Sequence, residues 1–146
     1  METSELSCIR LVVCRRALVD RASNLVSYID VVDDVVVDPG VLGTKVNLSV
    51  EAELVGQGSY EVALSWTDQD NASYRASDGG SSVFTELRTR VSLTELILPP
   101  KAGTYILSVE YRRSKEDAWV KTGTGYVLSV RLPESPVEQA PVAPVA

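Results

Sequence analysis

The sequence predicts an all-β protein, an antiparallel β-sandwich of about eight strands. Apolar residues recur at every second position, and clusters of Gly, Asp, Asn, Ser and Pro separate these runs at fairly even spacing. No segment shows the period of a long amphipathic helix. A closed barrel is the alternative for the same pattern. The chain has 146 residues, 45% of them apolar, which is enough for one domain with a sizeable core.

The clearest alternation lies in the middle of the chain. In TKVNLSVEAEL (44–54), Val, Leu and Ala alternate with Lys, Asn, Ser and Glu, and YEVALSW (60–66) repeats the pattern. Between them, GQGS (56–59) is typical of a hairpin turn. We therefore expect these two strands to be antiparallel neighbours in one sheet.

The remaining strands are predicted on either side of this pair. Upstream, CIRLVVC (8–14) and NLVSYIDVV (24–32) are joined by RRALVDRAS, a loop or a single helical turn. Downstream, VFTELRTRVSLTELIL (83–98) is open to two interpretations, but its frequent Thr, Val and Ile favour a strand. TYILSVEYR, WVKTG and TGYVLSVRL follow as strands, with the polar hairpin RSKEDA (113–118) before WVKTG.

The domain is predicted to span residues 7–132, after a flexible N-terminus (1–6). A tail, PESPVEQAPVAPVA (133–146), contains four prolines and cannot continue a sheet, so we expect it to be disordered. The start METSELSC lacks the basic and apolar regions of a secretory signal. No apolar stretch approaches the roughly 18 residues of a spanning helix. These observations predict a cytoplasmic protein without a membrane partner.

The two cysteines, Cys8 and Cys14, lie six residues apart in one predicted strand. That spacing places them on the same face, roughly 20 Å apart, too far for a disulfide within the strand. We expect buried, reduced thiols.

Composition excludes several kinds of chemistry. The chain has no histidine, which removes the commonest general base, Ser-His and Cys-His nucleophile pairs and most zinc sites. Its net charge of −6 argues against nucleic-acid binding, which needs a basic face. We therefore expect no catalytic residues and no cofactor.

The acidic residues among the valines of SYIDVVDDVVVDPG (27–40) raise the question of a cation site. Because period two breaks near Asp33 and Asp34, we expect the strand to end or bulge there. DPG (38–40) is a turn in which Asp38 caps and the proline presets φ. Calcium needs six to eight converging oxygens, so these aspartates would have to meet Asp68 and Asp70 from another loop. Solvated strand ends and turns are the favoured interpretation.

Candidate contact residues lie around the polar hairpin. Trp119 follows this charged hairpin and is expected to be partly exposed, which makes it the best candidate for a contact residue. Arg112 and Arg113 lie at the start of the same hairpin, and rigid sandwiches usually carry function on loops.

The segment LILPPKAGTYILSVEYR (96–112) resembles immunoglobulin-like and fibronectin-like sandwiches. Leu98, Pro100 and Tyr105 look like the elements of a tyrosine corner, in which the phenol bonds the upstream backbone. The whole core, about 6–132, also resembles a family of small uncharacterised bacterial β-sandwich proteins. This resemblance rests on the strand NLVSYIDVVDDV and on the late proline–glycine–tyrosine strand. It implies an immunoglobulin-like fold and no known activity.

The sequence thus predicts a non-enzymatic protein-interaction or structural module whose partner is another protein or a second copy. The alternative is a calcium- or carbohydrate-binding sandwich that uses the loop aspartates and an exposed tryptophan. A carboxylate-only hydrolase is a third possibility.

Overall fold

The computed structural model describes residues 5–19, 22–23 and 26–133. The predicted flexible N-terminus and C-terminal tail lie outside the described residues, except for Glu5, Leu6 and Pro133. Leu6 is only 2% exposed and packs in the core, so the packed part of the chain begins before residue 7.

The described chain contains twelve strands and one 3-10 helix (Pro39–Val41). The strands are β1 (Ser7–Val19), β2 (Val26–Val31), β3 (Asp34–Val36), β4 (Lys45–Val46), β5 (Ser49–Val55), β6 (Gly58–Thr67), β7 (Ser73–Arg75), β8 (Gly80–Phe84), β9 (Arg88–Leu93), β10 (Leu96–Ile97), β11 (Gly103–Arg112) and β12 (Val120–Arg131). Within the described ranges, no helix has the length and apolar character needed to cross a membrane.

The strands form two main sheets. One has the order β2-β1-β5-β9, and the other has the order β3-β12-β11-β6, with β7 and β8 both pairing to β6. Strands β4 and β10 form a small third sheet. Every pair is antiparallel except β3 with β12, which is parallel. The predicted all-β sandwich is confirmed, and eight of the strands have at least five residues.

The core lies between the two main sheets, where the alternating apolar positions face each other. Val50, Ala52 and Leu54 of β5 are buried against a second layer that includes Leu64 and Trp66 of β6. Trp66 is fully buried, and its indole N–H donates to the Ile97 carbonyl at 2.7 Å. Full burial of one large aliphatic side chain contributes about 1.5–3 kcal/mol.

The predicted hairpin between β5 and β6 is wrong, because the two strands lie in opposite sheets. Period two identifies a strand with one buried face, but strands that face each other across a core share this pattern with neighbours in one sheet. Gly56 turns the chain between the sheets, with φ of +144° and its N–H bonded to the Leu87 carbonyl. A Cβ atom there would lie 3.0 Å from the Glu5 carbonyl oxygen, so glycine fits this crossing.

Three predicted segments have different boundaries in the structure. The link RRALVDRAS is neither a loop nor a helical turn at its start, because β1 continues through Val19 and pairs with β2. The run 83–98 contains the end of β8 and the whole of β9 and β10. WVKTG and TGYVLSVRL, apart from Trp119 and Leu132, form one strand, β12, with a register shift opposite Ser108/Glu110 of β11.

The two cysteines lie on opposite faces of β1. A bulge between Cys8 and Arg10 shifts the alternation by one residue, so the prediction of a shared face is wrong. Cys8 and Val13 belong to the core, whereas Cys14, the neighbour of Val13, is buried on the outer side. Both are free thiols.

The segment 26–37 belongs to both main sheets. β2 pairs with β1, and after the break at Val32–Asp33, β3 pairs with β12. Asp30 has φ of +55°, which is uncommon for a residue other than glycine. The Tyr126 hydroxyl donates to the Val32 carbonyl and holds the crossing point. Asp38 precedes the 3-10 helix, but its side chain makes no capping hydrogen bond, contrary to the expected role.

Candidate functional site

Trp119 lies on the outer face of the six-stranded sheet, where the hairpin after β11 returns into β12. Its ring packs close to Gly79, since a Cβ atom built at Gly79 would lie 3.5 Å from Trp119 Cη2 and 3.8 Å from Ala63 Cβ. In the alternation of side chains along β6, Ala63 points to the outer face of the sheet, but it is only 2% exposed. Trp119 itself is half-buried. The tryptophan is therefore an outer-face residue that packs against the sheet.

Two guanidinium groups flank the indole. Arg112 Cζ lies 4.3 Å from the centre of the Trp119 ring and Arg75 Cζ lies 5.1 Å from it. Such contacts are attractive because the ring face is electronegative. We call Arg75, Trp119 and Arg112 the Arg–Trp–Arg stack.

The strand register explains why the two arginines reach the indole from different sides. Arg112 pairs with Glu61 and Arg75 pairs with Ser65. Gly79, against which Trp119 packs, lies beside Ala63, between these two positions of β6. Glu61 and Ser65 are about 13 Å apart along the strand, at about 3.3 Å per residue. The guanidinium groups therefore approach Trp119 from opposite directions along β6.

Carboxylates fix both guanidinium groups. Arg112 Nε donates to Glu61 Oε2 at 2.7 Å, and Arg75 Nη1 donates to Glu110 Oε1 at 3.0 Å. Arg112 Nη1 also donates to the Lys115 carbonyl at 3.3 Å, which ties the hairpin to the stack. Each guanidinium has five N–H donors, so donors remain for a bound molecule.

A small outer-face cavity lies beside the stack. It has a volume of about 200 Å³ and is lined by Ser65, Ser73, Tyr74, Arg75 and Glu110. Ser65 is 3% exposed, and its Oγ has no hydrogen-bond partner among the described residues. Glu110 is 8% exposed, and its carboxylate forms an ion pair with Arg75 on this face of the sheet.

The structure brings together two of the predicted contact residues, Trp119 and Arg112. Arg113 is exposed in the adjoining hairpin. Arg75, Glu61 and Glu110 are not among the residues predicted from the sequence. The outward parity of Glu61 and Glu110 is visible in the sequence, but the register that places each acid beside an arginine is not.

Four of the five candidate cation ligands fall into two groups at one end of the six-stranded sheet. Asp33 and Asp34 lie at the edge strand β3, whereas Asp68 and Asp70 lie in the loop after β6, three strands away. At about 4.8 Å per strand this separation is roughly 14 Å. In the described part of the chain, no three acidic or cysteine residues are grouped so that they could hold a metal ion.

Two of these carboxylates have protein partners. Asp34 binds Arg131 through both oxygens, at 2.9 and 2.6 Å, which lowers the pKa of Asp34. Asp68 Oδ1 accepts hydrogen bonds from the backbone N–H groups of Ala72 and Asp70, each at 2.9 Å. These bonds lower the pKa of Asp68, and the bond from Ala72 has the larger effect. These partners account for both side chains within the fold.

Asp38 and the residues of the predicted tyrosine corner lie elsewhere. Asp38 is exposed before the 3-10 helix. The Tyr105 hydroxyl donates to the Lys101 carbonyl at 2.6 Å. Leu98 is 1% exposed and Pro100 is exposed in the turn that leads into β11.

Comparison with known proteins assigns no family. No family model and no curated protein matches the chain, so the resemblance to small bacterial sandwich proteins stays a prediction. A solved structure of the ASH/PapD-like domain of human CEP192 (PapD-like domain 7) is similar, with 18% identity and a TM-score of 0.33. The match covers 71% of this chain and 83% of that one. A likeness this distant assigns neither a partner nor an activity to the chain.

Proposed function

We propose that this chain is a non-enzymatic module that binds another protein through the Arg–Trp–Arg stack. The observation that carries the proposal is a half-buried Trp119 outside the core, held between two arginines. Trp and Arg are enriched among the residues that dominate protein–protein binding energy.

The fixed positions of the two arginine side chains also support binding of a protein partner. Both arginines are already fixed by Glu61 and Glu110, so little side-chain entropy is lost when a partner binds. The guanidinium donors that remain can bind carbonyl or carboxylate groups of a partner.

The geometry favours a protein over a sugar. A sugar stacks on an open aromatic face, whereas guanidinium groups already approach Trp119 from two directions. A carbohydrate would have to displace one of them. The separation of Asp33 and Asp34 from Asp68 and Asp70 likewise gives no support to a shared calcium site.

The test compares capture of partners from native cells by the tagged full chain and by two variants. Trp119→Ala removes the centre of the stack. Arg88→Ala is the matched control, because Arg88 also pairs with a glutamate across strands, Glu53, but on the outer face of the other sheet. Thermal melting of each variant establishes that it is folded.

We expect one or more stoichiometric partners that are retained by wild type and Arg88→Ala and lost by Trp119→Ala. Partners that Trp119→Ala retains in full would contradict the proposal. Sedimentation of the purified chain shows whether the partner is a second copy, since self-association through the stack would also depend on Trp119.

A further inference from the structure

A groove of about 690 Å³ opens on the side of the sandwich where segment 26–37 crosses between sheets. Its walls include Val31 and Val36, which are 56% and 55% exposed, and the buried Leu48 and Leu98. This volume lies within the range of about 300–1,000 Å³ that is typical of binding clefts. The groove is separate from the Arg–Trp–Arg stack and shares no residue with it.

Strand β3 carries backbone groups that point away from its sheet. The Asp33 carbonyl accepts Ser129 N–H at 3.0 Å, and Val37 N–H donates to the Arg131 carbonyl at 2.9 Å. Since backbone groups alternate sides along a strand, the N–H and C=O of Asp34 and Val36 point away from β12. β3 is the terminal strand of its sheet, with β12 as its one strand partner in the described chain. Both residues line the groove.

The charged groups of the groove are mainly acidic. Asp30, Asp33 and Asp34 line it, against one basic residue, Arg15. Asp34 is paired with Arg131, but Asp30 and Asp33 form no ion pair with a described residue and are exposed. The valine side chains of the groove are complementary to small apolar side chains of a bound segment. The unpaired carboxylates of Asp30 and Asp33 are complementary to a basic side chain in the same segment.

We propose that this groove binds an extended segment of a partner protein that carries a lysine or arginine among β-branched residues. The segment adds to the open edge of β3 and bonds the free N–H and C=O groups of Asp34 and Val36. Its apolar side chains lie against Val31, Val36 and Leu48, and its cation lies beside Asp33. The occupant is a β-strand of another protein.

The experiment uses the full chain and a defined probe. The probe is a capped seven-residue peptide of alternating valine and threonine with lysine at its centre. The first control peptide has glutamate in place of lysine. The second is N-methylated at alternate residues, which removes the N–H groups needed for strand addition. Binding is followed through the backbone amide NMR signals of Asp34 and Val36.

Three variants separate the interactions. Val36→Pro removes an N–H that points away from β12, so the pairing of β3 with its own sheet remains while strand addition is blocked. Asp33→Asn removes an exposed charge without touching the backbone. Asp70→Asn makes the same charge change three strands away and is the matched control for Asp33→Asn.

We expect saturable shifts at Asp34 and Val36 with the lysine peptide and at least about threefold weaker binding of the glutamate peptide. Asp33→Asn removes that preference, and Asp70→Asn keeps it. Both Val36→Pro, in which binding is followed at the Asp34 amide, and N-methylation of the peptide abolish binding. Trp119→Ala binds the peptide normally, which separates this proposal from the function proposed for the stack.

Several results would overturn the proposal. The first is the absence of saturable shifts at Asp34 and Val36, and the second is equal affinity for the lysine and glutamate peptides. Binding that Asp33→Asn leaves unchanged would exclude the charge contact. Shifts of Asp34 and Val36 that depend on protein concentration alone would show that a second copy occupies the groove instead.

Discussion

Ser65 and Ser77 are buried serines, each 3% exposed, that differ in one respect. Ser77 Oγ accepts the Leu64 N–H at 2.9 Å, whereas Ser65 Oγ has no partner among the described residues. A buried hydroxyl without a hydrogen bond loses its bonds to water and gains none in return. The two side chains therefore affect stability in opposite directions.

Replacement of each serine by alanine tests this difference. We expect Ser65→Ala to raise the free energy of unfolding by up to about 1 kcal/mol, since a desolvated hydroxyl is removed. Ser77→Ala, the matched control, lowers it by about 1–2 kcal/mol because the Leu64 N–H loses its acceptor. Urea unfolding measures both changes. A loss of stability in Ser65→Ala equal to that in Ser77→Ala would contradict the prediction.

At the scale of elements, an ion pair reinforces the backbone pairing of the edge strand β3 with β12. Strand β3 has only three residues. The Arg131 guanidinium of β12 donates two hydrogen bonds to the Asp34 carboxylate of β3. Because Arg131 lowers the pKa of Asp34, the ionised carboxylate is favoured in the folded state. The stabilisation is present above the ordinary aspartate pKa, about 3.9, and is lost as pH falls through the lower folded value.

We predict that Asp34→Asn reduces hydrogen-exchange protection of the Ser129 and Val37 amides at pH 6. The difference in protection from wild type shrinks as pH falls from about 4 through the lowered pKa of folded Asp34, where the wild-type carboxylate becomes neutral as well. Glu53→Gln is the control, because its carboxylate pairs with Arg88 in the other sheet. Equal effects of Glu53→Gln and Asp34→Asn on these amides would show that the ion pair does not act locally.

Strand identity could be predicted from the sequence far better than strand pairing. Alternation located β5, β6 and β11, because burial of one face leaves its mark on every second residue. The placement of β5 and β6 in opposite sheets could not be predicted, since facing strands and neighbouring strands have the same pattern. The same limit applies to the candidate site. The sequence offers Trp119 and Arg112 as separate contact candidates, but Arg75 joins them through a register set by the whole sheet.

At the scale of the whole molecule, the two cysteines report on opening of the structure on the two faces of β1. Cys8 is 4% exposed and Cys14 is fully buried, on opposite faces of β1. Burial raises the pKa of each thiol, and the nearby Glu51 carboxylate raises that of Cys14 further. Both thiols therefore stay protonated and shielded near neutral pH.

We predict that, at pH 7.5, a thiol reagent reacts with each cysteine of the native protein no faster than the structure around that cysteine opens. Labelling should reach two thiols per chain in denaturing urea, which serves as the control. In the native state, the rate for each cysteine follows the fraction of open molecules. Rapid native labelling of one thiol, independent of denaturant, would contradict the burial described for it.

The parallel pairing of β3 with β12 has a consequence for synthesis of the chain. Asp34 and Arg131 are 97 positions apart, so the crossing segment leaves the ribosome long before the strand that holds it. Contacts this distant in sequence close slowly. Until β12 emerges, the β3 edge and its valines have no sheet to join. This part of the fold is therefore completed only after β12, the last strand of the described chain, has been made.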